Sequence, residues 1–154
     1  INQKTFAMEF RLNYSITPAL SIQYWGQPFI SNGQYTQFKR VTNPRADVYE
    51  NRFHTLNEEI RYNSEVEIYE IDENLDGSTD YTFDDPDFNI KEFRSNLVLR
   101  WEYLPGSTIF LVWSQNRTAS SSDENFTLAD NIKGLFDIHP VNVFLIKFNY
   151  WFNF

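Results

Sequence analysis

Apolar and polar residues alternate at both ends of the chain. Residues 5–16 and 143–154 each place apolar or aromatic side chains at every second position. These positions are Phe6, Met8, Phe10, Leu12, Tyr14 and Ile16 in the first segment, and Phe144, Ile146, Phe148, Tyr150, Phe152 and Phe154 in the last. Successive side chains of a strand point to opposite sides, so this period predicts β-strands with one apolar and one polar face.

Three further segments between these ends are also predicted to be strands. Residues 20–24 and 96–103 alternate in the same way, whereas residues 109–113 are apolar at every position. Short turns at Thr17-Pro18 and Pro105-Gly106 join neighbouring strands, since Pro and Gly supply turn backbone angles. The other two connections, residues 31–92 and 117–141, are long. Short turns at one end and long loops at the other are typical of outer-membrane barrels.

The predicted strands have the length that a membrane barrel requires. They run for about 9 to 12 residues, whereas strands of soluble sheets have a mode of about 5 to 6 and tilted transmembrane strands need about 9 to 11. The predicted fold is therefore all-β, an antiparallel membrane β-barrel. A soluble β-sandwich remains the alternative, because its sheets also alternate. The longest unbroken apolar run has five residues, Ile109 to Trp113, which excludes a membrane-spanning helix.

About five spanning strands are too few to close a barrel, because the smallest known barrels have about eight. Residues 1–154 are therefore predicted to be the C-terminal portion of one larger barrel domain, with residues 31–92 as a long external insertion. Residues 50–92 hold 14 of the 21 acidic residues and only three basic ones. The net charge of −8 disfavours a nucleic-acid partner, since phosphate binding needs concentrated Lys and Arg. The absence of cysteine excludes disulfides and Cys-ligated metal.

Two resemblances add to this interpretation. The ending Tyr150, Phe152, Phe154 resembles the C-terminal signal that the barrel-assembly machinery reads in bacterial outer-membrane proteins. Residues 94–115, 20–30 and 86–89 resemble the C-terminal domain of unknown function of Bacteroidota outer-membrane proteins that carry an N-terminal family 9 carbohydrate-binding module. The resemblance implies an outer-membrane location and an upstream portion, and it implies no reaction.

The acidic insertion contains a candidate calcium loop. The segment from Asp72 to Asp80 matches the first nine positions of an EF-hand-type loop, with oxygen ligands at alternate positions and Gly77 at the sharp turn. The candidate ligands are Asp72, Asn74, Asp76, Ser78 and Asp80. Position 12 is Phe83 instead of the bidentate Glu, and a solvated acidic loop is the alternative. A bound Ca²⁺ is expected to be structural.

No catalytic constellation is predicted. His54 and His139 lie in different predicted loops, and their neighbours have no HExxH or triad spacing. Carboxylates of the insertion could in principle serve glycoside cleavage, but most such acids are only solvated. The chain is therefore expected not to be an enzyme.

Polar residues on the second face of the strands are predicted to face the barrel lumen, where they pair with one another or line a channel. They are Glu9, Arg11, Asn13, Arg100, Glu102 and Lys147. The predicted function is an anchor or conduit of a cell-surface glycan- or nutrient-handling protein in the outer membrane of a Gram-negative bacterium. Its expected partners are outer-membrane lipid, the barrel-assembly machinery, and the upstream part of the same protein or other outer-membrane subunits. The alternative function is a soluble, calcium-stabilised carbohydrate-binding β-sandwich that uses Trp25, Trp101 or Trp113.

Overall fold

The computed structural model describes residues 1–122 and 127–152. The chain divides into two compact units. One, which we call the insertion unit, comprises Gly33–Asp87 together with Ile1–Gln3. The other, the sheet unit, comprises Lys4–Asn32 and Phe88–Phe154.

Strands dominate both units, which confirms the all-β class. In chain order the strands are β1 (Asn2–Ala7), β2 (Phe10–Thr17), β3 (Leu20–Gln34), β4 (Lys39–Val41), β5 (Phe53–Thr55), β6 (Ile60–Asn63), β7 (Ile68–Ile71), β8 (Tyr81–Asp84), β9 (Phe88–Leu104), β10 (Ser107–Ser121) and β11 (Val141–Asn149). A short 3-10 helix, Tyr49–Arg52, precedes β5, and one α-helix, α1 (Leu128–Asp137), precedes β11.

The main sheet has the order β1-β3-β9-β10-β11, and β2 also pairs with β3. β2 with β3, β9 with β10, and β10 with β11 are antiparallel neighbours. The Glu102 N–H donates to the Ala19 carbonyl at 2.8 Å, so the start of β3 lies beside the end of β9. Within the described residues this sheet is open, with β11 at one edge and β1 and β2 at the other. A closed membrane barrel therefore remains a prediction.

The first predicted strand is interrupted, because β1 ends at Ala7 and β2 begins at Phe10. Pro28 of β3 lies opposite this break, where its carbonyl accepts the Met8 N–H at 3.2 Å. Proline has no N–H to return to the neighbouring strand, so the ladder cannot continue regularly at this point.

The last strand is shorter than the alternation predicts. β11 ends at Asn149, which pairs with Thr108 near the start of β10. Before Ser107 the chain turns into β9 at Pro105-Gly106, and the pairing of β11 with β10 ends at Asn149 and Thr108. The Trp151 N–H donates instead to Ser107 Oγ at 3.0 Å.

The predicted loop between β10 and β11 contains α1, which packs on β9 and β10. Leu135 of α1 is fully buried, and Phe136 contacts the ring of Phe93 at a centroid distance of 5.4 Å. The buried Asn89 Nδ2 donates to Asn131 Oδ1 at 3.0 Å, which fixes the helix on β9. In the described part of the chain, no helix is long and apolar enough to cross a membrane.

The insertion unit contains two small sheets, one of β4 and β5 and one of β6, β7 and β8. The alternating segment 60–71 forms the β6–β7 hairpin of the second sheet. Ile71 is fully buried, and the rings of Phe38 and Phe83 lie 4.7 Å and 5.2 Å from the ring of Tyr69. These side chains form the small core of the unit.

Candidate functional site

One side of the sheet unit carries consecutive rows of apolar side chains, and we call it the apolar face. Directly opposed residues of neighbouring strands point to the same side of a sheet, so the register defines each row. Across β9, β10 and β11 the rows are Trp101 with Ile109 and Phe148, Leu99 with Leu111 and Ile146, and Leu97 with Trp113 and Phe144. Phe144 and Ile146 are each 74% exposed, so this edge of the face is open to its surroundings.

Aromatic pairs lie at the first and at the last of these three rows. At one end Tyr103 stacks on Phe148, with ring centroids 5.6 Å apart. At the other end Trp113 stacks on Phe144 at 6.0 Å, with the ring planes inclined by only 5°. The Trp113 Nε1 group donates to Asn142 Oδ1 at 2.9 Å, where the face becomes polar. A ring with an apolar body and a polar tip is typical of membrane–water boundaries.

The apolar face continues onto β2 and β3, where Leu12 lies opposite Tyr24. Phe10 lies opposite Gly26, and its ring crosses the glycine. A Cβ atom on Gly26 would lie 2.6 Å from Phe10 Cζ. Only a residue without a side chain therefore leaves room for this ring.

Helix α1 covers a different part of the apolar face. An apolar hollow of about 290 Å³ remains at this contact. It is lined by Phe6, Met8, Phe10, Tyr24, Pro28, Phe93, Ile132, Leu135 and Phe136. Arg117, opposite Phe93 in the register, donates from its guanidinium to the carbonyls of Phe136 and Ile138. A cation bonded to the last carbonyls of a helix also favours its dipole, so Arg117 holds the end of α1.

The opposite side of the sheet, which we call the polar face, carries the residues predicted to line a lumen. The register places Arg100 and Lys147 on either side of Phe110, with Lys147 Nζ 5.8 Å from the ring centroid. Glu102 shares this face and accepts from Arg100 at 3.0 Å. The charges on this side are thus paired or placed over an aromatic ring.

The same face continues onto β2 through Arg11 and Asn13, which lie opposite Trp25 and Gln23. Glu9 lies in the break between β1 and β2, and it accepts from Arg11 Nε at 2.7 Å. All six predicted lumen residues therefore belong to the sheet unit, and five of them lie on strands with their side chains on one face.

Two shallow hollows occupy the polar face and share Trp25 and Asn96. Their volumes are about 450 Å³ and about 400 Å³. The first is lined by Arg11, Asn13, Gln23, Tyr24, Trp25, Asn96 and Val98, and the second by Trp25, Arg94, Ser95, Asn96, Ser114, Gln115, Asn116, Val141 and Val143. Trp25 thus lies on the opposite side from Trp101 and Trp113, so the three tryptophans do not form one surface.

The carboxylates of the predicted calcium loop accept hydrogen bonds from backbone N–H groups of the same loop. Asp72 accepts the N–H groups of Asp76 and Gly77 at 3.1 Å and 2.8 Å. Asp76 accepts from Ser78, and Asp80 accepts the Glu73 N–H at 2.8 Å. Among the described residues, no three His, Cys, Asp or Glu side chains are grouped so as to hold a metal ion. Calcium binding by this loop stays a prediction.

A second polar cluster in the insertion unit joins His54 to Glu59. The Nε2 atom of His54 lies 2.6 Å from Glu59 Oε1, and the Asn57 N–H donates to Glu59 Oε2 at 2.9 Å. Hydrogen bonds, first from the backbone of Asn57 and then from His54, lower the pKa of Glu59 to about 2. His139 lies in the sheet unit, outside this cluster.

A nearby ion pair joins Arg40 to Glu73. This contact is the main reason why the pKa of Glu73 is lowered. Tyr81 also contacts Glu73, and desolvation by burial, followed by this hydrogen bond, raises its pKa. These groups stabilise the unit as a charged pair and do not resemble an acid–base couple, because the pKa of each is moved away from neutrality.

Part of the predicted C-terminal signal lies in the described residues. Tyr150 and Phe152 are 50% and 68% exposed, and their rings meet at 4.6 Å. They follow the end of β11 instead of continuing it, and Phe154 lies outside the described residues.

A family model described as Domain of unknown function (DUF5916) matches residues 1–154. The chain belongs to this family. No curated protein and no solved structure matches it.

Sequence reasoning missed several parts of this DUF5916 domain. It did not predict α1, although Leu128, Ile132, Leu135 and Phe136 have helical spacing and Thr127 precedes them. It also assigned no role to Arg117, because the contact of this residue with α1 joins positions that are about 20 residues apart. The hollows beside Trp25 depend on the register of five strands, which no local pattern specifies.

Proposed function

We propose that this DUF5916 chain is a segment of an outer-membrane β-barrel that serves as anchor or conduit of a cell-surface glycan- or nutrient-handling protein. The observation that carries the proposal is the two-sided sheet, with open apolar rows on one side and paired charges on the other. Soluble monomers rarely expose a large contiguous apolar patch, and Leu12, Phe144, Ile146 and Phe148 are each more than half exposed. In a barrel wall the apolar face contacts lipid and the polar face contacts water, so each face meets an environment of matching polarity.

The open edges of the sheet allow further β-strands to pair with this segment. β11 at one edge and β1 and β2 at the other present strand backbone in the described structure. An unpaired strand cannot face the hydrocarbon region, because its backbone groups would lack hydrogen bonds. Further strands, from the same protein or from other outer-membrane subunits, are proposed to close the barrel after delivery by the barrel-assembly machinery.

The remaining parts of the proposal follow from the resemblance of residues 94–115 and 20–30. The protein is proposed to belong to a Gram-negative bacterium of the Bacteroidota and to carry a family 9 carbohydrate-binding module in a further domain. The DUF5916 domain then anchors that module or passes its ligand inward. It is proposed to catalyse no reaction. Among the described acids of the insertion unit, Glu59, Glu73 and Asp76 have lowered pKa values, which favour permanent carboxylates.

Depth-dependent fluorescence tests the barrel. Variants that retain a single tryptophan, at position 113 or at position 25, are folded into bilayers that contain brominated lipid. Trp113 should be strongly quenched by bromine in the acyl chains, whereas Trp25 should be quenched by aqueous acrylamide. A soluble sandwich, the competing hypothesis, should remain monodisperse without detergent and should show no lipid quenching at either position.

A structural calcium ion in the insertion unit remains part of the proposal. The carboxylates of Asp72 and Asp76 also accept N–H groups of the loop, and each carboxylate has further lone pairs for an ion. Terbium luminescence sensitised by the adjacent Tyr81 should rise on titration and be displaced by calcium. The Asp76→Ala variant should lose this signal, and Asp47→Ala, a carboxylate outside the loop, should retain it. A signal equal in both variants would contradict binding in this loop.

A further inference from the structure

The two adjoining hollows of the polar face share Trp25 and Asn96, and we call them together the groove. Trp25 lies between the two hollows and lines both of them. The hollows extend over β2, β3 and β9 on one side and over β9, β10 and β11 on the other. Five strands at a spacing of about 4.8 Å give the groove a length of roughly 19 Å across the strands.

The charged residues of the groove are already paired. Arg11 contacts Glu9 at 2.7 Å, and Arg94 contacts Glu92 at 3.2 Å. Each arginine thus has an acidic partner two residues away on its own segment. An anionic ligand would have to compete with these carboxylates, so the groove favours a ligand without net charge.

The other polar groups of the groove are amides and a hydroxyl. On the polar face they are Asn13, Gln23, Asn96, Asn116 and Ser114, whereas Ser95 and Gln115 line the second hollow from strand positions whose side chains lie on the other side. Ser114 Oγ donates to Asn96 Oδ1 at 3.1 Å, which orients that amide. An amide both donates and accepts, as does a ligand hydroxyl, so a row of amides can match a row of hydroxyl groups. Ligands with many hydroxyl groups and no charge meet this requirement best.

We propose that this groove binds a neutral oligosaccharide. The flat indole of Trp25 packs against the C–H face of one sugar ring, and the amides beside it bind the hydroxyl groups of that ring and its neighbours. The length of the groove fits a chain of several sugar units instead of a single one. The inference rests on the proposed function and deepens it, because it names the class of ligand that the water-filled side of the barrel receives.

Calorimetry on the full chain in micelles of a detergent without a sugar headgroup tests the inference. The probes are cellohexaose, maltohexaose, xylohexaose and laminarihexaose, with hexagalacturonate as the charged counterpart. At least one neutral probe should bind, and Trp25→Leu should weaken its binding about tenfold or more, since one buried aromatic often dominates an interface. Trp101→Leu, the matched change on the apolar face, should leave the affinity unchanged. Asn96→Ala, which keeps the indole, should weaken binding by a smaller factor.

Several results would overturn the inference. They are failure of all four neutral probes to bind, equal binding by the wild type and Trp25→Leu, or binding of hexagalacturonate alone. If Trp25→Leu does not fold, the affinity of Asn96→Ala for the neutral probe decides the test. An affinity equal to that of the wild type would contradict binding in the groove. The same samples are also tested without detergent. Neutral-sugar binding by a protein that stays monodisperse in plain buffer would reject the barrel and keep the groove, whereas lipid quenching without sugar binding would do the reverse.

Discussion

The alternating strands of the insertion unit and those of the sheet unit differ in what covers their apolar side. In the insertion unit the β6–β7 hairpin packs on a core, with Ile71 fully buried and the ring of Tyr69 packed between other aromatics. The sheet unit turns many of its apolar groups outward, with Leu12 and Ile146 at 55% and 74% exposure. Burial of apolar surface drives folding in water. The described residues give that burial to Ile71 but leave the apolar rows of β11 open.

The difference shows that alternation specifies a two-sided strand without specifying what touches each side. In the insertion unit, the β6–β7 hairpin alternates and packs on an internal core. In the sheet unit, long alternating strands form one layer, and α1 covers only part of its apolar face. The rows of β11 stay exposed in the described residues, and the proposed lipid would cover them.

The largest expected effect comes from a charge on the apolar face. Ile146→Lys places an ammonium group in the middle row, and a lysine at the bilayer midplane destabilises a barrel by about 2–4 kcal/mol. Its neighbour Leu145 points to the polar face, so Leu145→Lys should change the free energy of unfolding by less than about 1 kcal/mol. Urea titration of both variants in bilayers measures this difference.

The two lysine variants also separate the hypotheses. A soluble sheet with Ile146 in water would tolerate Ile146→Lys at least as well as Leu145→Lys. Equal stability of the two variants would therefore contradict lipid contact at this row.

A smaller loss is expected from Gly26→Ala. The new Cβ would meet the ring of Phe10 at 2.6 Å, and forcing such a ring aside typically costs about 1–3 kcal/mol. The same bilayer titration measures this loss. Adding Phe10→Ala should remove the clash, so the double variant should be less sensitive to the glycine change than the wild type is. If Gly26→Ala costs the same with and without Phe10, the ring does not cross this glycine.

Arg117→Met should weaken the attachment of α1 and leave the sheet intact. Its guanidinium donates to the carbonyls of Phe136 and Ile138, and hydrogen bonds from charged groups contribute about 1.5–3 kcal/mol. In the variant, water can donate hydrogen bonds to the two carbonyls instead, so the expected loss of stability is about 1–2 kcal/mol. Hydrogen exchange should accelerate in residues 128–137. Arg94→Met, on the polar face, is the matched control, and equal exchange in both variants would argue against this role.

The sequence predicts the strands of this protein better than it predicts their interruptions and contacts. The two-residue periods around Leu12 and Leu99 indicate where strands lie, because this alternation depends only on residues of the same strand. The break at Met8 is caused by Pro28, which lies on the neighbouring strand, and the end of β11 is fixed by the start of β10. The calcium-loop pattern is local, but the carboxylate of Asp72 is occupied by backbone N–H groups that the pattern does not reveal.

The smallest expected effect is an acid dependence confined to the insertion unit. The pKa of Glu59 is about 2 in the folded chain against an ordinary value of 4.5, so unfolding takes up a proton between these values. A lowered folded pKa gives stability that is present above pH 4.5 and is lost as the pH falls through about 2. Near pH 3, wild-type unfolding should therefore take up close to one proton more than unfolding of Glu59→Gln. Glu58→Gln removes an equal charge without these hydrogen bonds and should behave like the wild type. Aromatic circular dichroism of the Tyr69 cluster follows the transition. Identical pH profiles for Glu59→Gln and Glu58→Gln would show that the hydrogen bonds of Glu59 with Asn57 and His54 do not stabilise this unit.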